Sequence, residues 1–299
     1  MDKRNAEIYR CPHSQKEMTL RADEMEGDEV TKGRLLCGEG HSFAIEKGIP
    51  NLIFPKQLEA LDAEFQEKYD RGATQYEAGL DWLFKSFYEE QEAVRTSMID
   101  LLNLKAGMRV LEVGCGTGQD SGIIAERLSG SGQLFLSEIS RGMIEMCRKK
   151  LASCEVPSEF LLANASYLPF PDEHFDAVFH FGGLNTFSER KRAFDEMTRV
   201  SRQGAKVVVG DEGVSPWLRG KLFGKILINA NPLYKHDVPL EDLPECARNV
   251  QVRWILGNAF YVISYEKGEG APAVDLDLPI PGKGDSLRSR YEARKICGE

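Results

Sequence analysis

Between residues 109 and 209 the chain alternates short β-rich runs with helical ones, and that order leaves few folds open. Runs 109–113, 133–136, 159–162, 175–179 and 205–209 read as strands, with helices over about 119–128, 141–151 and 189–200. Strands separated by helices pair in parallel and are covered on both faces, so a doubly wound α/β sheet is predicted. After Asp211 the pattern changes: 217–229 reads as one more helix, and runs 250–256 and 259–263 face each other across Gly257-Asn258. A two-residue link of that kind signals a hairpin. The expected sheet is therefore seven-stranded and mostly parallel, ending in an antiparallel hairpin.

Where the first strand meets its helix the sequence reads Leu111-Glu112-Val113-Gly114-Cys115-Gly116-Thr117-Gly118. In a doubly wound sheet a ligand sits at such a junction. Alternate glycines let the backbone reach positive φ and approach the ligand closely. Dinucleotide-binding turns space their glycines G-x-G-x-x-G, whereas here the third glycine is Gly118 and Gln119 follows, which disfavours NAD. Glu138 ends the second strand, where a carboxylate can accept hydrogen bonds from both ribose hydroxyls of an adenosine. Glu112, inside the first strand, suits a cationic, amine-bearing ligand.

With these residues in view, 106–212 resembles the class I S-adenosylmethionine-dependent methyltransferases, particularly the ubiquinone and menaquinone C-methyltransferase branch. The resemblance also rests on Glu138-Ile139-Ser140-Arg141-Gly142-Met143, on Asn164-Ala165 followed by Leu168-Pro169-Phe170, and on Phe175-Asp176-Ala177-Val178. It implies a cofactor, S-adenosylmethionine, whose methionine part is wrapped by Gly114, Cys115, Gly116, Thr117 and Gly118. Glu138 would hold the ribose, Ile139 and Met143 would sandwich the adenine, and Asn164 and Ala165 would read its edge. Phe181 and Gly182 would form the ligand-facing end of the fourth strand, and Tyr76 would approach the cofactor's carboxylate. Many relatives carry a histidine in the loop after that strand, but this chain reads Gly183-Leu184-Asn185-Thr186-Phe187. No catalytic residue is therefore assigned. His180, Asn185, Asp211 and Glu212 fall near the expected site.

Residues 1–55 have a character of their own, and Cys11-Pro12-His13-Ser14 and Cys37-Gly38-Glu39-Gly40-His41 resemble two knuckles of a zinc ribbon. Such a module precedes the catalytic domain in some ribosomal RNA guanine methyltransferases. Structural zinc takes four thiolate or imidazole ligands, and here Ser14 stands where a second cysteine is expected. The resemblance implies Cys11, Cys37 and His41 as metal ligands, with His13 a candidate fourth; the alternative is a ribbon that has lost its metal and persists by packing. Residues 56–105 read as a helical lead-in, 106–266 as the cofactor-binding domain with an inserted helix and loop over 214–249, and 267–299 as an extended tail.

The formal charge of −9 opposes general attraction to nucleic acid or to anionic membranes. Residues 1–10 lack the apolar stretch of a signal peptide, and no apolar run approaches the roughly 18 residues of a membrane span. Seven scattered cysteines, an odd number, suit reduced thiols better than a disulfide framework. A cytoplasmic enzyme acting on a small ring or lipid-like acceptor is expected. RNA methylation and a non-catalytic, cofactor-binding partner subunit are the alternatives.

Overall fold

The computed structural model describes residues 1–271 and 277–296, except the side chains of 74–76, 78, 80–82, 291 and 294–296. Met1–Gly268 forms one unit and Glu269–Glu299 a second. At the amino terminus four antiparallel strands pair in sequence order: β1 (Met18–Glu26), β2 (Glu29–Cys37), β3 (Ser42–Glu46) and β4 (Ile49–Pro50). Two helices follow, α1 (Ala60–Ser86), interrupted by non-helical backbone at Gly72, and α2 (Gln91–Ile99).

The central unit runs β5 (Arg109–Val113), α3 (Gln119–Leu128), β6 (Gln133–Glu138), α4 (Arg141–Lys150), β7 (Ser158–Leu162), β8 (Phe175–Phe181), α5 (Arg190–Val200) and β9 (Ser201–Glu212). After two short helices, α6 (Pro216–Arg219) and α7 (Leu222–Ala230), come β10 (Ala247–Ile255) and β11 (Phe260–Lys267). The sheet order is β10-β11-β9-β8-β5-β6-β7; the five strands β9 to β7 are parallel, and β11 and β10 are antiparallel to their neighbours. The predicted seven-stranded, mostly parallel sheet is the one found. Strand β5 shows why its strands are apolar on both faces: Val110 packs into the core on one face, Leu111 and Val113 into the core on the other.

Two local expectations are corrected. The predicted helix 217–229 is broken into α6 and α7 at Gly220-Lys221, and Gly224 lets α7 fold back against Leu218 more closely than a side chain would permit. The hairpin link is four residues, not two. Ile255 pairs with Phe260, Leu256, Gly257 and Asn258 all take positive φ, and the Ala259 N–H donates to the Leu256 carbonyl at 3.0 Å.

The amino-terminal sheet shares a hydrophobic core with the central one. Tyr9, Leu35, Phe43 and Leu52 pack in the same cluster as Phe135, Phe170 and Phe175. Polar ties reinforce the seam: the Asp2 N–H donates to Glu159 Oε1 at 2.7 Å, and Leu52 N–H to the Leu162 carbonyl at 2.8 Å. A sheet this small cannot bury enough apolar surface by itself. In the second unit, expected as an extended tail, Leu287–Ile296 is instead a helix, α8, in a stretch free of glycine and proline.

Candidate cofactor and acceptor site

A cavity of about 370 Å³ opens at the carboxyl ends of β5, β6 and β8, where the strand order reverses. Gly114, Cys115, Gly116 and Thr117 form one wall. Gly114, Gly116 and Gly118 take φ of 65°, 53° and 83°. A Cβ on Gly114 would stand 3.2 Å from the His180 ring, and one on Gly118 would stand 2.8 Å from Cys147 Sγ, whereas one on Gly116 would meet nothing within 4 Å. Gly118 thus seats α3 against α4, and Gly116 leaves open space for a ligand.

Glu138 lines the same cavity. Its carboxylate accepts from the backbone N–H of Gly116 at 2.9 Å, Ile139 at 2.8 Å and Ser140 at 3.0 Å, which ties the glycine turn to the end of β6. Burial pushes its pKa up, against the pull of these three donors. Ile139, Met143, Asn164, Ala165, Phe181 and Gly182 are also on the cavity surface.

Glu112 is elsewhere. It is buried behind the turn, takes a 2.6 Å hydrogen bond from Ser121 Oγ and does not line the cavity. Burial, reinforced by Asp120 and Cys147, pushes its pKa well above the carboxylate range. Tyr76 lies among the residues whose side chains are not described.

Two charged residues not anticipated in the sequence stand in the wall beside the glycine turn. Arg95 of α2 and Asp120 of α3 form a 2.6 Å ion pair, 4 % and 6 % exposed. Arg95 Nε and Asp120 Oδ1 are buried and have no hydrogen-bond partner among the described residues. The guanidinium also sits 5.3 Å above the Phe84 ring, which fixes its plane. At the acceptor side, His180 donates from Nδ1 to the Val113 carbonyl at 2.7 Å, leaving Nε2 as a buried lone pair without a partner among the described residues. Burial lowers the His180 pKa, so the ring is neutral. Glu212 Oε2 is likewise buried and has no partner among the described residues, and burial together with Asp211 raises its pKa well above the usual range. Asp211 is not available for chemistry in this arrangement: it accepts the N–H of Gly183 at 3.1 Å and of Asn185 at 2.5 Å, shaping the loop after β8.

Helix α1 covers this cavity with a polar stripe. Asp62 accepts from the Ser188 N–H at 3.0 Å, Gln66 donates to the Ile139 carbonyl at 2.9 Å, and Asp70 accepts from Ser140 Oγ at 2.6 Å and the Gly142 N–H at 3.0 Å. One turn and more further on, Glu77 accepts from Gln119 and pairs with Lys150 at 2.6 Å. Phe65, Tyr69, Leu83 and Phe84 of the same helix, with Tyr234 and Phe260, make the rest of the wall apolar and aromatic.

A separate cluster lies in the amino-terminal sheet. One donor atom from each of Cys11, Cys37 and His41 lies within 4.8 Å of the others, with Cys11 Sγ 3.5 Å from His41 Nδ1. Ser14 Oγ stands 3.6 Å from Cys37 Sγ. The six cysteines described are all free thiols.

The family profile described as "Methyltransferase domain" matches residues 110–204. Together with the sheet order and the turn beneath the cavity, this match makes residues 110–204 similar to a methyltransferase domain on a doubly wound sheet. Among curated proteins, the chain is 32 % identical over 142 residues to the ubiquinone/menaquinone biosynthesis C-methyltransferase UbiE of Bordetella avium, covering 48 % of this chain and 52 % of that protein. It is 31 % identical over 162 residues to the demethylmenaquinone methyltransferase of Clavibacter sepedonicus, covering 54 % and 60 %. The chain thus spans about half the length of the curated relatives it matches. Among solved structures, phosphoethanolamine N-methyltransferase 2 of Haemonchus contortus in complex with S-adenosyl-L-methionine shares the fold, with a TM-score of 0.55, 14 % identity, and coverage of 76 % of this chain and 63 % of that one.

Proposed function

We propose that this chain transfers a methyl group from S-adenosylmethionine to a small, largely apolar ring acceptor. The observation that carries the reading is one cavity with two chemically different parts: a glycine turn tied to Glu138, and an aromatic wall carrying two unpartnered polar atoms. Glu138 has lone pairs left for ribose hydroxyls, and Gly116 leaves room for the chain that joins ribose to the amino acid. Arg95 Nε suits the carboxylate of that amino acid, and Asp120 Oδ1 its ammonium, each supplying a partner that the buried atoms lack.

When bound, the cofactor supplies a methyl group on a positively charged sulfur, so that alignment and exclusion of water do much of the work. Helix α1 and the aromatic wall exclude water; Asp70 and Gln66 hold that helix in place. Methylation at carbon or oxygen releases a proton. Neutral His180, a residue of the cavity wall whose buried Nε2 has no partner among the described residues, is the group placed to take it. Kinship with quinone C-methyltransferases supports an aromatic ring as acceptor.

We also propose that Cys11, Cys37 and His41 hold a structural zinc ion. Zinc–ligand lengths of about 2.3 Å to sulfur and 2.0–2.1 Å to nitrogen place two tetrahedral ligands about 3.5 Å apart, which is the Cys11–His41 separation. Ser14 Oγ stands beside the set, 3.6 Å from Cys37 Sγ.

The test is calorimetric titration of the purified chain with S-adenosylhomocysteine, with NAD as control. Saturable binding of the first alone is expected. Gly116→Asn, which keeps a left-handed backbone accessible but fills the open space, should reduce affinity at least tenfold while the circular dichroism spectrum stays unchanged. A folded wild-type protein that binds neither compound would remove the reading's basis.

A further inference from the structure

The segment from Gly213 to His236 carries Arg219, Lys221, Lys225 and Lys235 and no acidic residue, in a chain whose formal charge is −9. It contains α6 and α7. The inner side of α7, through Leu227 and Ile228, packs on Phe84, Tyr234, Leu256 and Phe260, four residues that line the cavity. Its outer side is unlike that of an ordinary surface helix. Leu222 is 76 % exposed and Ile226 55 %, one turn apart, and Lys221 and Lys225 form an exposed row directly beside them. Phe223 and Trp217 add exposed aromatic surface, and Phe223 meets Phe87, whose neighbour in sequence, Tyr88, is almost wholly exposed.

A lone exposed leucine needs no explanation, but a row of large apolar residues next to a row of lysines does. Neither Lys221 nor Lys225 has an ion-pair partner among the described residues. Arg219 is used internally: it pairs with Asp237 at 2.7 Å and donates to the His236 carbonyl at 2.8 Å. Glu89, two residues after Phe87, is engaged by the Gly257 N–H at 2.9 Å.

We propose that the outer face of α6 and α7 docks on the surface of an anionic lipid bilayer, the apolar row entering the headgroup boundary and the lysines meeting lipid phosphates. Apolar residues with interleaved lysines and aromatics on a short exposed helix have the composition of an interfacial helix, and the charge is local enough to act within a Debye length although the whole chain is acidic. The position gives the contact a use: the helix that touches lipid packs directly behind Phe84, Tyr234, Leu256 and Phe260, which line the cavity, so an acceptor dissolved in the bilayer would have a short path inward. The docking itself does not depend on methyl transfer.

The experiment is sedimentation of the full chain with vesicles of phosphatidylcholine alone or mixed with phosphatidylglycerol, at low and at physiological salt. Binding is expected to the mixed vesicles only, weakening as salt rises. Leu222→Asp with Ile226→Asp should abolish it. Lys221→Glu with Lys225→Glu should weaken it by roughly tenfold or more. Both double variants should bind S-adenosylhomocysteine as the parent chain does, which separates lost docking from lost folding and from failure of the cofactor reading. Absence of sedimentation at low salt would overturn the proposal, as would retention by either double variant. A concentration-dependent dimer that disappears in Leu222→Asp with Ile226→Asp, without vesicle binding, would assign the face to a second copy of the chain and overturn it too.

Discussion

Arg95 and Asp120 put two opposite charges where water does not reach, and each keeps one polar atom unsatisfied. Such a pair is a poor source of stability, since an apolar pair of similar volume often does as well. Its retention in a cavity wall is understandable if a zwitterion completes it. Arg95→Met should therefore weaken S-adenosylhomocysteine by roughly tenfold to a hundredfold, from about 1.5–3 kcal/mol for a charged hydrogen bond. It should leave 5′-methylthioadenosine, which lacks the amino-acid head, almost unaffected. Calorimetry with both ligands checks this, and the double change Arg95→Met with Asp120→Leu guards against misfolding by removing the stranded carboxylate. Equal losses for the two ligands would mean that the pair only supports the fold.

At the scale of elements, α1 is held over the cavity by hydrogen bonds at positions 62, 66, 70 and 77, and among its described side chains only Ala73 and Phe84 are buried. An element with little buried apolar surface opens locally before the sheet does. Asp70→Ala removes the bonds to Ser140 and Gly142. We expect faster hydrogen–deuterium exchange across 60–86, no change in β5 or β8, and dissociation of S-adenosylhomocysteine about fivefold faster, near 1 kcal/mol. Unchanged exchange would show that Phe65 and Phe84 carry the attachment instead. The same contrast explains what could be read from the chain. Strands β5 and β8 announce themselves because both faces are buried and most of their residues are apolar, Arg109, Glu112, Asp176 and His180 apart. The glycine turn and Glu138 are legible because their chemistry is local. The stripe on α1 is not, because it consists of polar groups whose partners lie 42 to 126 positions away, and Arg95 is not, because its partner is on another helix. Glu112 reads as a ligand group from its place in the turn, but its depth and Ser121 take it out of the cavity.

At the scale of the molecule, the amino-terminal sheet and the central domain are one cooperative body, since Tyr9 and Leu35 share a core with Phe135 and Phe170. A metal in the small sheet would then stabilise the whole of Met1–Gly268. Elemental analysis should find about one zinc per chain, and Cys37→Ser should lower the melting temperature by several degrees without splitting the transition. Zinc-free protein whose melting is indifferent to chelator would instead leave Cys11, Cys37 and His41 as packing and hydrogen-bonding groups.

The pairing of Asn51 with Leu162, continued by the Leu52 N–H on the Leu162 carbonyl, places the amino-terminal sheet against β7, the last strand on its side of the central sheet. An outermost strand offers a ladder of unsatisfied amides to any extended peptide nearby. Here the chain's own beginning occupies the end of that ladder. The first fifty residues therefore serve as a hem for the sheet they precede, and a catalytic portion expressed without them would present a raw margin on which like chains could stack.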